Sequence, residues 1–168
     1  MTARIALLMG SDSDFPRLES TVQTLREFGE EPEVRVLSAH RTPEEACEFA
    51  SSARKRGLQV LLCAAGGAAH LAGVIAAHTS LPVIGIPMDN PPLGGLDALL
   101  ATVQMPGGIP VGTVGVGGGG PKNAALLALR ILGSSDKEMA QKLDDFRETQ
   151  RTRVLEKDSQ LQGRLQSS

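Results

Sequence analysis

Three short polar segments of this 168-residue chain carry side chains able to do chemistry, and each lies between an apolar run and a helical stretch. The first is Gly10-Ser11-Asp12-Ser13-Asp14. A Gly/Ser turn at a helix start offers backbone N–H groups and hydroxyls to an oxygen-rich ligand. Two Asp in that turn argue against a lone phosphate and suit ribose hydroxyls better, while a plain capping turn is the alternative. With Gly10 as its only glycine, it is neither a Walker loop nor a GxGxxG fingerprint. The second segment, Ser38-Ala39-His40-Arg41-Thr42-Pro43, sets an Arg beside Ser and His at a helix start. Arg presents a planar fork to phosphate and the helix dipole adds to it, so an anion site competes with a merely solvated charge.

The third segment, Ala64–Gly73 (AAGGAAHLAG), surrounds His70 with small or apolar residues. This pattern predicts a desolvated imidazole that exchanges protons near neutral pH. A core histidine satisfied by a carbonyl is the competing reading. His78, before Thr79-Ser80-Leu81-Pro82, reads as a helix C-terminal cap. The run Gly117–Gly120 permits close backbone approach or a loose loop.

The elements that must position these segments alternate along the chain. Strands are expected over residues 4–9, 33–37, 58–65, 82–87 and 110–116. Helices are expected over residues 15–28, 43–56, 69–78, 96–103 and 121–132. Leu18, Val22, Leu25 and Phe28 fall on one helical face. Asp14 is a candidate N-cap, with Gly29 a stop. Thr42, with Pro43, Glu44 and Glu45 behind it, reads as the start of the next helix, which stops at Gly57. The fold expected is α/β: a doubly wound, mainly parallel sheet of about five strands, covered on both faces as a three-layer α/β/α sandwich of flavodoxin-like type. Residues 1–134 form the expected catalytic domain. Residues 135–168 form a charged helical arm, with Ser135 and Glu138 as a capping box and Gln162–Ser168 frayed. Met139, Leu143, Phe146, Val154 and Leu155 give the arm apolar positions that suit either a second subunit or its own domain.

Composition narrows the function. Seventeen Lys+Arg against nineteen Asp+Glu leave a net charge of −2, which excludes a broad basic face for nucleic acid. The four aromatics are all Phe, too few for a base-stacking platform. Cys47 and Cys63 lack metal or redox spacing, and Cys63 reads as a small core residue. No metal is expected among His40, His70 and His78. The N-terminal apolar run is too short for a signal peptide or a membrane span, so the expectation is a cytoplasmic protein.

The segments MGSDSD, SAHRTP, AGGAAHL and LDALLATVQMPGGIPVGT, with NAALLALRIL over Asn123–Leu132, resemble the N5-carboxyaminoimidazole ribonucleotide mutase family of purine synthesis. The resemblance spans nearly all of residues 4–156, in order and in register. It implies a homo-octamer with sites at subunit contacts, and a metal-free, cofactor-free isomerisation of a small ribonucleotide. In that reaction a carboxylate moves from the exocyclic nitrogen to ring carbon four. The resemblance implies Ser11 and Asp14 as substrate-binding residues, with Asp14 at the ribose. It implies Arg41 at the phosphate, helped by Ser13 and Ser38. His70 is implied as the proton carrier and His40 as a second active-site histidine. Gly66, Gly67, Ala68 and Leu71 complete the implied binding set, with the small residues after Ala65 expected to line a dry cavity for carbon dioxide. The chain departs from the family pattern at Ala72, at Ala101 and in Asn90-Pro91-Pro92-Leu93-Gly94, which bear on loop closure more than on chemistry. The rival readings are a direct aminoimidazole ribonucleotide carboxylase, which takes carbon dioxide itself, and a non-catalytic nucleotide-binding domain. The second would fit a receiver domain only with a lone Asp after the third strand, where Gly66-Gly67 stands.

Overall fold

The computed structural model describes residues 3–166. Its five strands are β1 (Ile5–Met9), β2 (Glu33–Val36), β3 (Val60–Ala65), β4 (Val83–Pro87) and β5 (Gly112–Thr113). They form one all-parallel sheet in the order β2-β1-β3-β4-β5. The helices are α1 (Phe15–Glu27), α2 (Pro43–Ala53), α3 (Leu71–Ala77), α4 (Leu96–Val103), α5 (Gly119–Gly133) and α6 (Lys137–Gln166). The expected flavodoxin-type sandwich is the fold observed.

Every residue of β1 and β4 is buried, as parallel strands with helices on both faces require. Register puts Ala6, Leu8, Leu61, Cys63 and Val83 on one face, where they pack with Ala46, Phe49 and Ala50 of α2 and Leu71 and Ile75 of α3. Burying each Leu or Ile there contributes about 1.5–3 kcal/mol. Helix α4 shares this face, because a Cβ on Gly85 would lie 2.2 Å from the Thr102 methyl and 3.5 Å from Ala72. Helix α1 covers the other face, where the Thr21 hydroxyl donates to the Pro121 carbonyl at the start of α5. Right-handed crossovers produce this split, since β1 connects leftward to β2 while the later strands progress rightward. Cys63 is fully buried, which pushes its thiol pKa far up and leaves it a small core residue.

Several local expectations are corrected. The sheet is not covered throughout: Val34 and Val36 on edge strand β2 are exposed. β5 shrinks to two residues. Asp14 occupies the N-cap position of α1 without capping it, its carboxylate being taken by Arg17. Thr42 likewise does not cap α2, because its hydroxyl accepts from the Ser38 N–H and donates to the Ser38 carbonyl. Helix α2 ends at Ala53 and turns continue to Gly57, at φ 94°. Helix α5 begins inside the glycine run rather than at Pro121.

The chain divides into two compact units, up to Ala128 and from Leu129 onward. In the second unit the turn between α5 and α6 is tight, with Gly133 in contact range of Ala140 and Leu143. Asp136, not Ser135, caps α6 by accepting from the Met139 N–H at 3.1 Å. The helix continues to Gln166 where fraying was expected; residues 167–168 of that segment lie outside the described residues. No helix among the described residues is long and apolar enough to cross a membrane.

Candidate active site

The strand order reverses between β1 and β3, so α1 and α3 leave toward opposite faces and open a crevice at their carboxyl ends. Ladder bonds extend past the strands and align their exits. Leu37 donates to Met9, Gly10 to Ala64 and Met88 to Ala65, at 2.9, 3.2 and 3.0 Å. A cavity of about 320 Å³ opens there, lined by Gly10, Ser11, Ser13, Asp14, Ser38, Ala39, His40, Arg41, Ala65, Gly66, Ala68, His70, Leu71 and Asn90. All the singled-out site residues except Gly67 line it. Gly67, at φ 61°, turns the chain behind the lining instead.

At the exit of β1, Ser11 precedes a single 3-10 turn, Asp12–Asp14, and its hydroxyl oxygen accepts from the Ser13 N–H at 3.3 Å. The Ser11 and Ser13 hydroxyls are 2.8 Å apart. Asp14 is 5% exposed. Burial raises its pKa above the usual carboxylate range, while the Arg17 guanidinium, donating at 2.8 Å, opposes that shift. At the exit of β2, the Ser38 hydroxyl accepts from the His40 and Arg41 N–H groups at 3.3 and 3.1 Å. Arg41 donates through Nη2 to the Gly10 carbonyl at 2.7 Å and makes no ion pair among the described residues. It is the only Arg or Lys of the lining, and most of its five donors remain for an anion.

His40 and His70 meet across the end of β1. His40 Nε2 lies 2.8 Å from His70 Nδ1, with the rings edge to face at 84° and their centroids 4.9 Å apart. At that distance one nitrogen carries the proton and the other accepts it, so the two rings share a single hydrogen. The expectation of a desolvated His70 is corrected. Its side chain is exposed at the cleft, while Ala69 beside it is buried in the core. The core-histidine alternative falls with it. His78 does cap α3, with Nδ1 2.9 Å from the Val74 carbonyl oxygen.

Around this cleft Arg17 and Asp89 carry no role on sequence grounds, and Asn90 stands out there only as part of a departing loop. Arg17 bridges Asp14 and Asp89, and Asn90 reaches over Gly66. The i,i+3 spacing of Asp14 and Arg17 was a legible signal. The approach of Asp89 to Arg17, 72 positions away, and of Asn90 to Gly66 left none.

A parallel sheet with a histidine pair, a buried carboxylate and a guanidinium without an ion pair gathered at its switch point has the make-up of an α/β enzyme. Residues 4–153 match the family described as AIR carboxylase, and the chain belongs to that family. The N5-carboxyaminoimidazole ribonucleotide mutase of Saccharolobus solfataricus is 52% identical over 152 residues, 90% of this chain and 95% of that protein. The mutase of the same name from Bacillus subtilis is 47% identical over 96% of this chain and 99% of its own length. Among solved structures, a variant of Treponema denticola PurE2 superposes with a TM-score of 0.84 at 30% identity, covering 96% of this chain and 99% of that one. Treponema denticola PurE gives 0.79 at 31% identity, covering 94% and 97%.

Proposed function

We propose that this chain is an isomerase of purine biosynthesis that converts N5-carboxyaminoimidazole ribonucleotide into 4-carboxy-5-aminoimidazole ribonucleotide. The observation that carries the reading is the His40–His70 hydrogen bond in a cleft also lined by Ser11, Ser13, Asp14, Ser38 and Arg41. The similarity to relatives named for this activity supports it.

Arg41, with Ser13 and Ser38, binds the phosphate, while Ser11 and Asp14 accept and donate at the ribose. The aminoimidazole then lies toward Gly66, Ala68, Leu71 and His70. The exocyclic N–C bond breaks, carbon dioxide leaves, and the electron pair stays on nitrogen. Ring carbon four attacks carbon dioxide, a C–C bond forms, and the proton that carbon four held must end on the exocyclic nitrogen. His70 carries that proton. His40 holds the His70 ring through Nδ1 and exchanges the shared hydrogen as the charge on His70 changes. The scheme balances with no oxidant, reductant or phosphoryl donor. It is tested by following interconversion of the two carboxylated isomers spectroscopically, without ATP. Consumption of aminoimidazole ribonucleotide and carbon dioxide alone would instead identify a direct carboxylase.

The protein acts in the cytoplasm as a homo-oligomer, with an octamer as the expected form. Leu96, Leu100 and Val103, at i, i+4 and i+7 of α4, are about half exposed. Val154, Leu161 and Leu165, at i, i+7 and i+11 of α6, are exposed as well. Both stripes suit contacts with further copies. Deleting residues 135–168 is expected to lower the particle mass in light scattering, and an unchanged mass removes the arm from assembly.

A further inference from the structure

The segment between β4 and α4 bends back on itself and is closed at its base. Gly95, at φ 85°, leaves no room for a side chain, since a Cβ there would lie 2.9 Å from both the Asp89 Cα and the Met88 carbonyl oxygen. The Met88 N–H donates to the Ala65 carbonyl at 3.0 Å, anchoring the near end to the exit of β3. The next residue, Asp89, accepts from Arg17 Nη1 at 2.9 Å, while Nη2 of the same guanidinium holds Asp14 at 2.8 Å. Arg17 therefore ties the β4 exit to the β1 exit.

That tether leaves Asn90 over the reacting end of the cleft. Its amide lies so close to Gly66 that a Cβ on Gly66 would overlap Nδ2. Asn90 lines the cavity, yet its side chain has no hydrogen-bond partner among the described residues. The small residues Ala65, Gly66 and Ala68 line the same cavity, as does His70. A primary amide left unpaired in that cavity can donate to the oxygens of a carboxylate or of carbon dioxide. Arg17 and Asp89 are both substantially exposed, so their ion pair adds little to stability and acts chiefly by fixing position.

We propose that Asn90 is a further substrate-contacting residue that retains the carboxyl group while it is detached from nitrogen, and that Arg17 is the positioning residue that holds Asn90 in place through Asp89. The proposal rests on the isomerase reading above. When retention fails, the N–C bond still breaks, the nitrogen takes a proton from solvent, and carbon dioxide escapes. The products are then aminoimidazole ribonucleotide and free carbon dioxide instead of the C-carboxylated isomer.

The test is the partition of N5-carboxyaminoimidazole ribonucleotide between isomer and aminoimidazole ribonucleotide, corrected for the enzyme-free rate. Asn90→Ala is expected to raise the escaping fraction about tenfold, the scale of a lost positioning contact, while affinity for aminoimidazole ribonucleotide by calorimetry stays near the parent value. Arg17→Leu and the milder Asp89→Asn, which leaves the Arg17–Asp14 pair intact, are expected to leak in the same direction, with Arg17→Lys restoring part of the retention. Arg17→Leu combined with Asn90→Ala is expected to leak no more than Asn90→Ala alone. A parent that interconverts the isomers, paired with an Asn90→Ala variant that retains the carboxyl group equally well, overturns this proposal alone. So does a double variant whose effects multiply. A parent that does not interconvert the isomers overturns the isomerase reading and this proposal with it.

Discussion

After β3 the chain runs Gly66-Gly67-Ala68-Ala69 into His70, and after β5 it runs Gly117-Gly118-Gly119-Gly120 into Pro121. In both, glycines precede a helix, and from composition the second is the better loop for close approach to a ligand. The structure ranks them the other way. β3 is central and beside the switch point, so its exit is flanked by those of β1 and β4. Gly67 takes a positive φ, Gly66 has Asn90 pressed on it, and the turn delivers His70 to His40. β5 is a two-residue edge strand. Gly118 and Gly119 face open space, and Gly120 is needed only because a Cβ there would meet the Gly115 carbonyl oxygen at 2.1 Å. Gly117 and Gly118 line a hollow of about 120 Å³ behind Arg17 and Asp89. A glycine run becomes part of a site through the neighbours its strand position gives it.

The strongest way to break this contrast is His70→Asn. It keeps size and one hydrogen-bonding edge but cannot change charge near neutral pH. Turnover is expected to fall about 100-fold or more, with folding, assembly and nucleotide affinity nearly intact. A variant that turns over like the parent would remove the β3 exit from the chemistry and move attention to His40. Next is Arg41→Leu at the neighbouring β2 exit, expected to weaken nucleotide binding by about 1.5–3 kcal/mol, the scale of hydrogen bonds to a charged group. Unchanged affinity in calorimetry would show that the phosphate binds elsewhere.

A smaller effect is expected at the β1 exit. The buried Asp14 carboxyl keeps its proton to a higher pH than it would in the unfolded chain, with Arg17 only partly opposing this. The native state therefore binds more protons through that window, and ionising Asp14 as the pH rises removes stability. Asp14→Asn lacks this titration, so its Tm relative to the parent is expected to rise as the pH climbs through and above the ordinary aspartate range. A flat difference across thermal melts would mean that Arg17 cancels the burial cost. The finest comparison pairs Gly66→Ala with Gly119→Ala. The first must push the Asn90 amide aside, a flexible group, so the fold is expected to survive while KM rises about tenfold. The second places Ala at an open helix start and is expected to leave kinetics alone while stabilising the protein by at most about 1 kcal/mol. Equal kinetic effects from the two would erase the distinction between the exits.

What the sequence determined by itself was whatever depends on neighbours along the chain. The buried runs IALLM, VLLCAA and VIGIP are apolar throughout, as only strands covered on both faces need be, and the helices between them force parallel pairing. Polar residues immediately after those runs had to lie at carboxyl ends, so Ser11, Asp14, Ser38, Arg41 and His70 could be singled out without coordinates. The cap assignments failed because Asp14 and Thr42 found competing partners in Arg17 and Ser38. Only the tertiary structure decided the contacts made across the sheet. His40 reaches His70 because β2 and β3 flank β1, and Asn90 reaches Gly66 because β4 lies beside β3. Only the strand order also showed that His70 faces the cleft. Local sequence set which groups each loop carries, whereas the order of strands set which loops meet. That order comes from the packing of all the helices at once, which no single segment encodes.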